Sequence, residues 1–226
     1  MTDLRRLDTP AEAARASELF DAVWSEGALM PRNLVTALDH AGGYAFAAYD
    51  GDEMVAASVG FLAGTPAEPV LYSHITGVVD GRRGQGLGYA IKQHQREWSL
   101  ARGIAAVVWT YDPLVRRNAA FNVAKLGARP VEYLTDFYGP MNDAINRGDE
   151  TDRLLVEWDL NGTPRAEAGT VSVAVPDDVE SLRRTDPEAA REWRYRVREE
   201  LGGRMEEGWV VTGFDASGYR LAAPMS

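Results

Sequence analysis

Between residues 69 and 111 the sequence runs strand-like segment, glycine-rich loop, amphipathic helix, apolar run, and few folds accept that order. The first segment, PVLYSHITGVV (69–79), is rich in residues that suit a pleated strand. The loop is GRRGQGLG (81–88). In the helix that follows, Leu87, Ala90, Ile91, Trp98 and Ala101 fall on one stripe, and Gly103 supplies the stop. IAAVVWTY (104–111) is almost continuously apolar, as in a strand covered on both faces. Two strands joined through a helix lie parallel, so residues 69–112 predict a βαβ core.

The flanking sequence fits around that core. AEAARASELFDAVW (11–24) has helical spacing, with Pro10 at its start, and PRNLVTALDH (31–40) predicts a second short helix. GGYAFAAYDGDEMVAASVGFLA predicts a hairpin turning at Asp50-Gly51. NAAFNVAKLGA (118–128) reads as a helix ending at Gly127, and VEYLTDFYG and RLLVEWDL as two more strands. The expected class is α/β (α+β): a mixed central sheet with flanking helices over residues 1–160.

Composition shifts after Leu160. NGTPRAEAGT (161–170) reads as a linker. TDPEAAREWRYRVREELGG predicts one helix, opened by a Thr185/Glu188 capping box, closed by Gly202, and striped by Ala190, Trp193, Val197 and Leu201. GWVVTGF and GYRLAA predict a hairpin. Residues 161–226 are therefore expected to form a small α/β extension docked on the main domain, with Trp193 and Trp209 as anchors.

Several functional classes drop out. With 34 acidic against 24 basic side chains the net charge is −10, which disfavours a nucleic-acid surface. There is no cysteine, which excludes disulfides, thiolate zinc sites and cysteine nucleophiles. No H-E-x-x-H or similar metal spacing and no G-x-S-x-G occurs. No apolar run approaches the roughly 20 residues of a membrane span, and residues 1–20 lack the apolar core of a signal peptide, so a soluble cytoplasmic protein is expected.

The loop can be tested against phosphate-binding patterns. G-x-G-x-x-G fails at Tyr89, and no Lys-Ser or Lys-Thr follows Gly86 as a P-loop requires. R-x-x-G-x-G fits at Arg83, Gly86 and Gly88, with Gly84 as a further small residue. Residues 84–88 offer no Ser, Thr, Asp or Asn to cap the helix. Open N–H groups at the positive end of a helix make an anion site, and Arg83 adds a charge-assisted contact. The other reading, a flexible connection with chance glycines, is disfavoured by the strand before and the amphipathic helix after.

VVDGRRGQGLGYAIKQ resembles the CoA-pyrophosphate motif of the GNAT superfamily of acyl-CoA-dependent N-acyltransferases. RNAAFNVAKLGA resembles that superfamily's later helix, which commonly ends in K-x-G-F. The resemblance covers about residues 1–160. It implies that the amides of Gln85, Gly86, Leu87 and Gly88, with Arg83, hold the pyrophosphate. It also implies a splay between strands 69–79 and 104–111, with the pantetheine arm pairing to free backbone near Val78 and Val79. Acetyl-CoA or another acyl-CoA is the implied co-substrate, a small-molecule amine the implied acceptor, and a homodimer the implied assembly. Succinyl transfer to amino acids and a non-catalytic acyl-CoA-binding regulator are the alternatives.

GNAT enzymes often carry the base on the strand before the glycine loop. Here His74 stands there, sharing a face with Thr76 and Val78 if the strand is regular. An imidazole suits proton uptake near neutrality. The competing reading is a core histidine bonded to backbone. His94 is expected to pack, and His40 to end a helix. The family's general-acid tyrosine is replaced by Val123, and its phenylalanine by Ala128, leaving Tyr111, Tyr133 and Tyr138 as substitutes by proximity. Asn118 and Asn122, four apart, either bond the pantetheine or the acceptor, or cap the helix and face solvent. Arg116 and Arg117 are either surface charges or partners for an anionic acyl group such as succinyl.

Overall fold

A computed structural model of the chain describes residues 3–24, 29–139, 149–162 and 170–224. Two compact units divide it, Met1–Val108 and Trp109–Ser226.

The first unit contains β1 (Asp3–Arg6), α1 (Pro10–Trp24), α2 (Arg32–His40), β2 (Tyr44–Asp50), β3 (Glu53–Gly64), β4 (Pro69–Val78), α3 (Leu87–Leu100) and the start of β5 (Ala106–Tyr111). The strands stand in the order β1-β2-β3-β4-β5. The first three pairings are antiparallel and β4–β5 is parallel, which makes the sheet mixed, as expected. The Asp50-Gly51 turn closes the β2–β3 hairpin, with Gly51 at φ +61. Thr9 and Glu12 cap α1 reciprocally, side chain to backbone N–H at 3.0 and 3.2 Å, with Pro10 in the first turn.

Alternation along the strands sorts two apolar faces. Ala45, Ala57, Val59 and Ile75 pack with Leu19 and Phe20 of α1 and Val35 of α2. Ala48, Val55 and Ala56 pack with Leu87 and Ile91 of α3. Gly77 lets α1 approach β4 closely: a Cβ there would stand 2.9 Å from Leu19 Cδ2 and 3.1 Å from Phe20 Cδ1.

The second unit continues from β5 into α4 (Arg116–Ala119), which runs directly into a π-helical stretch at Ala120–Lys125. β6 (Arg129–Leu134) and β7 (Arg153–Asp159) form an antiparallel pair. Then come β8 (Val171–Val173), α5 (Val179–Thr185), α6 (Pro187–Val197), a π-helical stretch at Arg198–Gly202, α7 (Gly203–Glu206), β9 (Val210–Asp215) and β10 (Gly218–Ala222). The last three strands form an antiparallel sheet in the order β8-β10-β9, so the expected hairpin gains a third strand.

Several local expectations change. The single helix from 185 to 203 is broken at Asp186-Pro187. A residue before proline is pushed out of the helical region, and Asp186 sits at φ −151, ψ 79. Thr185 therefore ends α5, and the Asp186 carboxylate caps α6 by accepting from Ala189 N–H at 3.0 Å. Gly202 does not stop the helix. Its missing Cβ leaves room for the Tyr133 ring, 3.1 Å from where a Cβ would lie. The strand in VEYLTDFYG ends at Leu134, and Asp136 turns at φ +44 while its carboxylate accepts from Thr151 N–H at 3.0 Å. Most of the expected linker, 163–169, lies outside the described residues.

The extension belongs to the same compact unit as residues 109–160. Arg194 is fully buried and donates to both carboxylate oxygens of Asp112 (2.8 and 2.9 Å) and to Asp149 (2.9 Å). Arg183 reaches the same two carboxylates at 2.6 and 2.9 Å. Burial alone would raise the Asp112 pKa, but the two guanidiniums outweigh it and hold the carboxyl well below the usual range. Tyr219 is buried and donates to Pro113 O at 2.9 Å. Of the expected stripe, Ala190 and Val197 on α6 and Leu201 in the π-helical stretch are buried, but Arg194 takes the core place given to Trp193, which is half-buried.

Candidate functional site

The glycine loop holds three left-handed glycines, Gly81, Gly84 and Gly86, at φ +81, +81 and +85. Gly86 is the N-cap of α3, and no side chain bonds the helix's first N–H groups there. A Cβ on Gly84 or Gly86 would meet nothing within 4 Å, so the backbone faces open space. Leu87 beneath it is buried against Ile91 and Val55. Arg82 anchors the loop, its Nη2 at 2.6 Å from Asp50 and 3.5 Å from Glu53 at the β2–β3 turn. Gln85 Nε2 donates to Gly81 O at 3.1 Å, folding its side chain back on the loop and leaving the loop's outer face clear. Arg83 is exposed, 3.3 Å from the exposed Asp80. Uncapped amides, a helix dipole, a cradle a Cβ would fill and an exposed arginine together suit a pyrophosphate.

His74 occupies an irregular point in β4. Val59 pairs with Ile75 and Gly60 with Ser73, so His74 is the extra residue of a β-bulge. This corrects the face expected for it. Ser73 and Thr76 turn to the α3 side, where Gln95 of α3 reaches Ser73 and Ser58, and Ser58 meets Thr76. The His74 ring lies instead beside Phe61 and Tyr72, with centroids 6.0 and 6.4 Å away. Phe61 and Tyr72 are themselves stacked at 5.0 Å. The imidazole keeps solvent contact and has no hydrogen-bond partner among the described residues, yet its aromatic surroundings desolvate it enough to lower its pKa.

The parallel register of β4 with β5 covers only Val70–Tyr72 against Ala106–Val108, whereas the register with β3 runs to Val78. Val79 N–H donates to Val55 O at 3.1 Å. Antiparallel ladders alternate, so Val78, opposite Ala56, turns its N–H and C=O away from β3. Of the two valines it is Val78 whose backbone faces outward.

The remaining named residues have other engagements. Tyr44 OH and His94 Nδ1 are 2.8 Å apart, and His94 packs on Phe46. His40 is exposed in the last turn of α2. In the second unit Tyr111 OH contacts Tyr219 OH at 3.2 Å, and Tyr133 OH donates to Asp152 at 2.7 Å; burial raises both phenol pKa values. Tyr138 is exposed, its hydroxyl 3.2 Å from Thr110 Oγ1. Val123 is buried in the π-helical stretch. Asn122 is buried too and accepts from Trp109 Nε1 at 3.2 Å, so it does not face solvent. Asn118 is half-buried, and the cap of α4 is Val115, without a side-chain bond. Arg117 is a surface charge, exposed and ion-paired, whereas Arg116 is half-buried. Arg116 donates to Val175 O, Asp215 O and Ala216 O, and Arg117 pairs with Glu180.

One group escaped the sequence reading altogether. Lys92, Gln95, Ser58 and Ser73 are buried together behind the bulge. The signal for it in the sequence is Lys92, directly beside Ile91 of the apolar stripe.

No protein-family model matches the chain, and no curated protein matches its sequence. Solved structures do match its fold. The ribosomal-protein-S18-alanine N-acetyltransferase from Escherichia coli superposes with a TM-score of 0.57 at 15% identity, over 72% of this chain and 96% of that one. Aminoglycoside 6'-acetyltransferase type Ii gives 0.57 at 18%, over 73% and 99%. The yncA structure from Salmonella typhimurium, with its cofactor acetyl-CoA, gives 0.56 at 13%, over 74% and 99%. The fold is that of the GNAT acetyltransferases.

Proposed function

We propose that the chain is an acyl-CoA-dependent N-acyltransferase that moves an acetyl group to the amine of a small molecule by direct attack. The observation that carries this reading is the uncapped, left-handed glycine loop at the start of α3, on the unit whose β4 bulge displays an exposed histidine. In this reading Arg83 and the amides of Gln85, Gly86, Leu87 and Gly88 bind the CoA pyrophosphate, with Gly84 keeping the approach open. Val78 offers backbone to the pantetheine. His74 takes the proton of the attacking ammonium; its lowered pKa keeps it neutral, and so able to accept, at physiological pH. Acetyl is favoured over succinyl because Arg116 and Arg117, the expected partners of an acyl carboxylate, are already engaged.

The fold neighbours support the co-substrate: an aminoglycoside 6'-N-acetyltransferase was solved with coenzyme A, and yncA with acetyl-CoA. A binding-only regulator is the second reading, and Val123 in place of the family's tyrosine favours it. The deciding experiment supplies acetyl-CoA or succinyl-CoA with a panel of amines and follows free thiol. Amine-dependent thiol release with acetyl-CoA is expected. CoA binding without release from either donor would establish the regulator instead.

A further inference from the structure

Behind the β4 bulge lies a set of polar side chains that an apolar core has no need of. Lys92 is 5% exposed, Ser73 5%, and Gln95 and Ser58 are fully buried. Their bonds converge on the residues flanking His74. Lys92 Nζ donates to Ser73 Oγ at 3.0 Å, immediately before the histidine. Gln95 Nε2 donates to Ser73 Oγ at 2.9 Å and to Ser58 Oγ at 3.0 Å. Ser58 Oγ donates to Ile75 O at 3.1 Å, immediately after the histidine, and meets Thr76 Oγ1 at 2.8 Å. The arrangement carries a cost, since Gln95 Oε1 is buried without a hydrogen-bond partner among the described residues. Packing alone gives no reason to retain it. A bulge removes one residue from the ladder, so its shape has to be fixed by something other than strand pairing.

We propose that Lys92, Gln95 and Ser58 form a buried clamp that sets the shape of the β4 bulge and so positions His74 relative to the glycine loop. Lys92 and Gln95 lie on α3, the helix that begins at Leu87 directly after the loop, so one rigid element joins the anion site to the strand carrying the histidine. Burial pushes the Lys92 amine down to about 7, which suits a hydroxyl such as that of Ser73 as one of its contacts in the core. The three are buried and act through the bulge, which makes them positioning residues. Misplacing a reacting group by an ångström can lower a rate about 10²-fold.

The proposal rests on the acyltransferase reading for its kinetic consequence but not for its structural one. The test therefore measures both, on Lys92→Met, Gln95→Leu and the smaller Ser73→Ala, each confirmed folded by its melting curve. Ser73→Ala keeps the assay decisive if either α3 variant fails to fold. NMR titration of the His74 imidazole should show a changed chemical shift and midpoint in all three variants. The kcat should fall about tenfold or more, with calorimetric CoA affinity within about twofold of wild type. Ser73→Thr, which retains the hydroxyl, should restore both. An unchanged His74 titration in Ser73→Ala would overturn the clamp, whatever the enzyme does. So would a kcat loss matched by an equal loss of CoA affinity, which would assign the cluster to the loop. A changed titration in a protein with no transferase activity would support the clamp and remove the acyltransferase reading.

Discussion

Arg194→Leu should destabilise the second unit more than any single change on its surface. The guanidinium is fully buried, and its two Nη atoms make three bonds of 2.8–2.9 Å to Asp112 and Asp149. Leucine removes the cation and leaves the two buried carboxylates paired with Arg183. Removing one partner of a buried pair costs about 3–5 kcal/mol, because the remaining charge has lost its compensation. Whole-protein stability is typically about 5–15 kcal/mol, so this is a large share. At about 2–4 °C per kcal/mol for chains of this length, the melting temperature should fall by roughly 6–20 °C. The acid response should change as well. The Asp112 pKa is depressed in the folded state, so its contribution is present above the unfolded value and is lost as pH falls through the folded one. With Arg194 gone the depression is smaller, and acid unfolding should begin at higher pH. Circular-dichroism melts from pH 7 to pH 3 read both effects. A variant melting within about 2 °C of wild type at pH 7 would show that the network is not the anchor its geometry describes.

Arg83→Ala should weaken CoA binding by calorimetry about 5–30-fold, the effect of one charge-assisted contact at an exposed side chain, and unchanged affinity would remove Arg83 from the site. His74→Ala should lower kcat about 10²–10⁴-fold and abolish the acid limb of the pH–rate profile. In the wild type that limb should have its midpoint below about 6.5, because desolvation lowers the imidazole pKa and the neutral base persists to lower pH; a limb that survives in the mutant would assign it elsewhere. Gly77→Val should destabilise the first unit by about 1–3 kcal/mol in urea, since even a Cβ would stand 2.9 Å from Leu19; a stability equal to wild type would mean that α1 can move away.

What the sequence made legible is what depends on residue type at short range. The Asp50-Gly51 turn and the loop glycines follow from local backbone preference, and they appear where that preference puts them, while α3 begins at Leu87, two residues before the expected Tyr89. The bulge at His74 does not. It inserts a residue into a strand whose apolar alternation is undisturbed, and only the β3 register exposes it. Arg194 was missed for a related reason. Hydrophobic periodicity assigns a charged residue to the surface, and it cannot see two aspartates, 82 and 45 positions away, arriving to pair with it. The break at Asp186 was readable, because the proline was in plain view, but a capping-box pattern one residue earlier matched as well.

The two units keep their order by different physical means, and this bears on how substitutions there should be read. In the first, the features assigned to ligand and chemistry are backbone features: left-handed glycines, an uncapped helix end, a bulge, an outward-facing strand edge. Backbone geometry of this kind is supported from behind, by Leu87, by Arg82 and by the buried Ser58, Ser73, Lys92 and Gln95. Conservative side-chain changes in the loop itself should therefore matter less than changes in its supports. In the second unit, order comes from charge. Asp112, Asp149, Arg183 and Arg194 are interlocked, and Arg198 adds Asp152 at 2.7 Å. Charge networks of this kind lose most when one member is removed and least when the whole set is replaced. A single substitution in the extension that lowers activity is thus no evidence that the extension touches substrate, until the stability it removes has been measured alongside.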